Sequence, residues 1–152
     1  MKTDATPVQD APGALELVTQ FGTFRIETRD VITFPLGIPG FEQCRKFVLL
    51  TSEDLEPLRC LHSTDSPVSF LVVDPRLVLP GYRCQLSQTD LVRLGTDEHE
   101  PLLWLSVVTV DGAGQGFANL RAPIVINPER MLGYQVMPHN SLYPLRQPLA
   151  SE

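Results

Sequence analysis

The chain has 152 residues, 43% of them hydrophobic and 20% charged, and a formal net charge of −6. That is enough chain for one domain with a sizeable core, and no apolar run approaches the ~18 residues that a membrane span needs. With 12 Lys and Arg against 18 Asp and Glu, clustered cations for phosphate contacts are lacking, so direct nucleic-acid binding is not expected and a basic protein partner is favoured.

Met1–Gly13 is polar, contains Pro7 and Pro12, and has no periodic pattern; it reads as a disordered extension ahead of a single domain over residues 14–150. It has no apolar signal-peptide core. Three cysteines, Cys44, Cys60 and Cys84, without paired spacing argue against a disulfide framework and for a reducing, cytoplasmic setting. Leu15–Gln20 and Thr23–Thr28 alternate on either side of Phe21-Gly22, the pattern of a hairpin.

Ile32–Glu42 reads Ile-Thr-Phe-Pro-Leu-Gly-Ile-Pro-Gly-Phe-Glu. It starts as a strand, then meets two prolines and two glycines, which fix φ, delete donors and permit φ > 0. Neither a central strand nor a helix interior has this composition. It predicts a shaped surface segment, the kind of irregular backbone on a rigid scaffold where recognition concentrates. Ile38, between Gly37 and Pro39, is expected to project outward. Phe34 and Phe41 fit an apolar anchor and a core placement equally well.

Phe47–Leu50, Pro57–Thr64 and Val68–Val73 follow as strands, the last apolar enough to be central. Asp74-Pro75 ends it, with Asp74 expected to cap a turn. Tyr82–Leu86 follows the Pro80-Gly81 turn. Ser87 and Asp90 form a shortened capping box, and Gly95 supplies the stop for a helix of barely two turns. Leu102–Val110, containing Trp104 as a core residue, is the strongest strand. Phe117–Asn127 reads as one returning strand, Tyr134–Met137 as a short one, and Leu142–Leu149 as an extended tail barred from a sheet interior by Pro144 and Pro148. About nine or ten short strands with regular turn signals predict a sandwich or barrel.

Catalytic chemistry finds little support in these residues. Gly112, Gly114 and Gly116 have the wrong spacing for a phosphate cradle and precede a strand rather than a helix. Cys60 and His62 share a strand face, but no second pair stands at ligand spacing, so no metal is expected. His99 and His139 lie in polar, solvated loops. There is no Gly-x-Ser-x-Gly elbow. The carboxylates of Glu53, Asp54 and Glu56, and of Asp97, Glu98 and Glu100, sit in polar runs and not in the apolar pocket that acid–base work requires. No catalytic residue and no cofactor is expected.

Four stretches occur together: Ile32–Glu42, Phe70–Pro75 (Phe-Leu-Val-Val-Asp-Pro), Asn119–Asn127 (Asn-Leu-Arg-Ala-Pro-Ile-Val-Ile-Asn) and Tyr143–Leu149 (Tyr-Pro-Leu-Arg-Gln-Pro-Leu). In order and spacing, from about Leu15 to Leu149, the chain resembles the bacterial flagellar assembly factor FliW family. It departs from the family pattern at Phe117, at the glycine-rich loop and in the extension. The resemblance implies a mainly β, compact, antiparallel barrel-like domain with one or two short helices, and no enzyme activity. It implies two protein partners, flagellin in the cytoplasm and CsrA, a small basic RNA-binding dimer that represses flagellin translation. This protein would be a monomer when free. Flagellin would draw it away from CsrA, and a −6 protein docked beside a basic RNA site would repel phosphate. Candidate partner-binding residues in the matching stretches are Phe34, Pro35, Ile38, Pro39, Phe41, Glu42, Asp74, Asn119 and Asn127. Two other readings are a flagellin-only export chaperone and a small-molecule-binding barrel with an enclosed apolar pocket.

Overall fold

A computed structural model describes residues 14–97, 100–139 and 141–149. The expected disordered extension Met1–Gly13, together with Glu98 and His99, lies outside the described residues. In chain order the elements are β1 (Ala14–Thr19), β2 (Gly22–Glu27), a 3-10 turn (Thr28–Asp30), β3 (Ile32–Thr33), β4 (Lys46–Leu50), β5 (Arg59–Ser63) and β6 (Ser69–Val73). There follow α1 (Pro75–Val78), α2 (Gln88–Leu94), β7 (Leu103–Val110), β8 (Gly116–Ala118), β9 (Ile124–Asn127), β10 (Leu132–Gln135) and β11 (Gln147–Pro148).

Strand β7 organises the sheet. Along one side it pairs with β6; along the other its first half pairs with β9 and its second half with β8. Since β9 continues through β10 and β3 to β4, β5 and β6, the pairings close into a ring of seven strands. The expected barrel-like sheet is therefore present, with one correction: β3 and β10 run parallel, through the single pair Leu132 and Thr33. Closure removes the edges of the ring itself, and β8 with β11 extends beyond it.

Side-chain alternation divides the core into an inside and several outsides. Ile32, Phe34, Phe47, Leu61, Val72, Leu105, Ile124 and Ile126 fill the interior. The opposite faces of the same strands are covered too. The β1–β2 hairpin lays Leu17 and Ile26 over Val48, Leu50 and Cys60. The segment after β6 brings Tyr82 onto Val73, Val108 and Leu120. Helix α2 seats Leu94 on Val125 and Val136, with Trp104 and Tyr134 beside them. Burial on both faces explains why Ile124–Asn127 and Val68–Val73 read as nearly unbroken apolar runs rather than alternating ones.

Helix α2 forms as its sequence predicts. Ser87 Oγ accepts from Asp90 N at 3.1 Å, Asp90 Oδ2 accepts from Ser87 N at 2.9 Å, and Gly95 closes the helix at φ +66°. Three expectations are corrected. Phe117–Asn127 is two strands, because Asn119 Oδ1 accepts from Arg121 N and Ala122 N at 3.0 Å each and turns the chain before Pro123. Tyr82–Leu86 forms no strand and is a strap outside any helix or strand. The last strand before the tail is Leu132–Gln135 and stops short of Met137. The turn that Asp74 was expected to cap is a helical one, Pro75–Val78, with Pro75 at its first position and Asp74 as its cap. The tail behaves as its prolines require: β11 pairs only with β8, at the margin of the sheet.

Candidate functional site

The segment that follows β3 is built from two consecutive turns. In the first, Gly37 N donates to Phe34 O at 2.8 Å, with Pro35 as its second residue. In the second, Phe41 N donates to Ile38 O at 2.7 Å across Pro39-Gly40, and Gly40 has φ +90°. Pro followed by a positive-φ Gly is the requirement of a type II turn. Gly37 is fixed by space as well as by φ. A Cβ there would lie 2.6 Å from Glu42 Cα, so the two limbs of the loop touch backbone to backbone. Cys44 N donating to Phe41 O at 3.0 Å and Phe34 N donating to Arg45 O at 2.7 Å return the chain to the barrel.

This geometry sorts the predicted residues. Phe34 is fully buried and Ile38 is 3% exposed, so the outward projection expected of Ile38 is incorrect. The turn at Gly37 folds Ile38 back beside Phe34 and Phe47, into the barrel interior. Phe34 also depends on Gly133 of β10, where a Cβ would come within 2.4–2.7 Å of the ring. Phe41 lies at the surface, with its ring edge-on to Phe70 at 5.2 Å. Pro35, Pro39 and Glu42 are exposed. Glu42 Oε2 accepts from Gly40 N at 3.0 Å, and that backbone donor, together with Glu42's own N–H, holds the carboxyl below its usual range. The charge is therefore fixed to the turn it stabilises. Leu36, at 53% exposure, belongs to the same surface. Sequence reasoning passed over it, although its place between Pro35 and Gly37 was the available signal.

The other three candidates stand apart from this loop, and each holds the chain together. Asp74 Oδ1 accepts from Arg76 N at 2.9 Å as the cap of α1. Asn119 makes the turn already described. Asn127 is buried; its Nδ2 donates to Leu94 O at 2.7 Å and its Oδ1 accepts from Glu129 N at 3.0 Å. It thereby joins the end of α2 to the end of β9. Cys60 is buried between strands, and His62 Nδ1 lies 2.7 Å from Ser63 O. Among the described residues no three His, Cys, Asp or Glu side chains gather as metal ligands. The glycine-rich loop is a tight connection from β7 to β8, with Asp111 Oδ1 accepting from Ala113 N and Gln115 N at 2.9 Å.

The loop thus offers Pro35, Leu36, Pro39, Phe41 and Glu42 on a scaffold fixed from beneath by Phe34 and Ile38. Exposed apolar side chains beside an acid suit the docking of a protein. Comparison with known proteins places this arrangement in a family. The model of the FliW protein family matches residues 17–149. The flagellar assembly factor FliW of Natranaerobius thermophilus is 33% identical over 135 residues, which is 87% of this chain and 89% of that protein. The flagellar assembly factor FliW of Thermotoga neapolitana is 37% identical over 137 residues, 88% of this chain and 92% of that protein. A crystal structure of the flagellar assembly factor FliW superposes with a TM-score of 0.83 at 32% identity, covering 91% of this chain and 99% of that one. On the extent of these matches, along the whole barrel and both flanks of the loop, this chain belongs to the FliW family of flagellar assembly factors.

Proposed function

We infer that this protein is a non-enzymatic partner switch in the cytoplasm, binding flagellin on one side of the cycle and CsrA on the other. The observation that carries the reading is the match to flagellar assembly factors along nearly the full length of both chains. The family is named for an assembly role and not for a reaction. The geometry adds a rigid, exposed loop at Pro35–Glu42 suited to protein docking. A chain of net charge −6 seated beside a basic RNA-binding surface weakens the field that draws phosphate, without occupying the RNA site. No described helix is long and apolar enough to cross a membrane. The barrel interior is filled by side chains such as Phe34, Phe47 and Leu61, which weighs against an enclosed small-molecule site.

The test is exchange. Flagellin is titrated into a preformed complex of this protein with CsrA, followed by size-exclusion chromatography. Release of CsrA supports the switch; a stable three-way assembly refutes it. Binding of flagellin with no association to CsrA would leave an export chaperone. Charge repulsion is screened over about 8 Å at physiological salt. The repulsive part of the antagonism should therefore fade as salt rises, while docking through the loop persists.

A further inference from the structure

On the far side of β10 from Phe34, the chain leaves an open groove of about 950 Å³ between α2, the strap before it and the segment after Val136. Its apolar side chains are unusually bare: Met137 is 54% exposed and Leu142 96%. Arg83 and Arg93 also line it. Among the described residues neither guanidinium is paired with a carboxylate. Arg93 instead donates to Tyr134 Oη and lies 5.0 Å from the centre of that ring. The acid in the wall, Asp90, already receives Ser87 N in the capping box. The strap supplies a further feature. Gln85 and Leu86 run outside any helix or strand, and their backbone groups pair with no described residue.

Unpaired main-chain groups beside exposed apolar side chains suit an extended peptide. Two guanidinium groups without acids suit carboxylates on it. We propose that the groove docks an extended acidic segment of a partner protein, with carboxylates against Arg83 and Arg93 and an apolar side chain between Met137 and Leu142. The overall charge of −6 does not oppose this at close range, because distant charges are screened while the two arginines stand within the groove. None of these residues belongs to the Pro35–Glu42 loop.

The probes are two synthetic pentapeptides, Glu-Leu-Glu-Leu-Glu and Lys-Leu-Lys-Leu-Lys, both blocked at their ends. Each is titrated to millimolar concentration into the isotope-labelled full chain, and amide shifts are followed by NMR. The glutamate peptide should move the amides of Gln85, Leu86, Arg93 and Leu142, with binding that weakens as salt rises, and the lysine peptide should not. Arg83→Glu, an exposed change, should weaken that binding about tenfold or more while leaving the thermal melt unchanged. Equal response to both peptides, shifts confined to residues outside the groove, or no shift at all would overturn the proposal. So would shifts at these amides that grow with protein concentration alone, since the occupant would then be a second copy of this chain.

Discussion

Replacing Ile38 with aspartate tests whether the loop is anchored in the core or merely laid on the surface. Ile38 is 3% exposed and packs with Phe34 and Phe47. Removing its burial costs about 1.5–3 kcal/mol. The introduced carboxyl finds no partner in that interior and adds roughly 1–3 kcal/mol more. The total, about 2.5–6 kcal/mol, is a large part of the ~5–15 kcal/mol that holds a domain of this kind together. Ile38→Asp should therefore lower Tm by on the order of 10 °C, followed by circular dichroism at a β-sheet wavelength. The pH dependence gives a second reading. Burial raises the carboxyl's folded-state pKa above its unfolded value, so the folded variant binds more protons. Its deficit against the parent should shrink as pH falls toward the unfolded pKa and widen as pH rises through the folded one. Leu36→Asp, two residues away and 53% exposed, should leave Tm nearly unchanged and weaken partner binding. An Ile38→Asp protein that melts with the parent at neutral pH would refute the account of the loop.

Gly133→Ala should cost about 1–3 kcal/mol by pressing on the Phe34 ring, and Phe34→Leu in the same chain should recover part of that loss in a double-mutant cycle measured in urea. Ser106 Oγ is buried on β7 without a hydrogen-bond partner among the described residues, so Ser106→Ala should be neutral or stabilising by up to about 1 kcal/mol in the same assay. For the thiols, Cys44 and Cys60 are buried while Cys84 is partly open, and burial first, then the nearby Asp90 charge, pushes the Cys84 thiol pKa up. Iodoacetamide under native conditions should accordingly modify Cys84 before the other two, yet more slowly than a free cysteine, with all three reacting in urea; mass spectrometry reads the order, and early loss of Cys60 would contradict the packing of the hairpin on β5.

Local chemistry, written in neighbouring residues, was legible without the fold. Ser87, Asp90 and Gly95 announce α2 because a cap needs only a side-chain oxygen, a nearby donor and a residue free to adopt positive φ. Pro39-Gly40 announces its turn in the same way, and Pro148 its place at the sheet margin. The family resemblance likewise rests on short stretches whose order survives in the sequence. Contacts between distant segments were not legible. Ile38 and Leu36 are both aliphatic and both flanked by Pro and Gly. Which one turns inward depends on Gly37 closing against Glu42 and on the space beneath, bounded by Phe47 and Phe70 from other strands. Asn127 closes a matching strand motif, yet its work is to hold the carbonyl of Leu94, 33 positions earlier. The split of Phe117–Asn127 into two strands has a local part, the Asn119 turn, and a tertiary one. Val107 O accepts from Asn119 N and Pro144 O from Leu120 N, so β7 and the tail together fix a bend that the apolar run from Ile124 conceals. Turns, caps and most of the apolar strands could be read from neighbouring residues, whereas which apolar side chains became core and which stayed exposed was set by seven strands closing into a ring. The physical reason is that burial depends on what arrives from elsewhere in the chain, whereas caps and turns are satisfied by their neighbours.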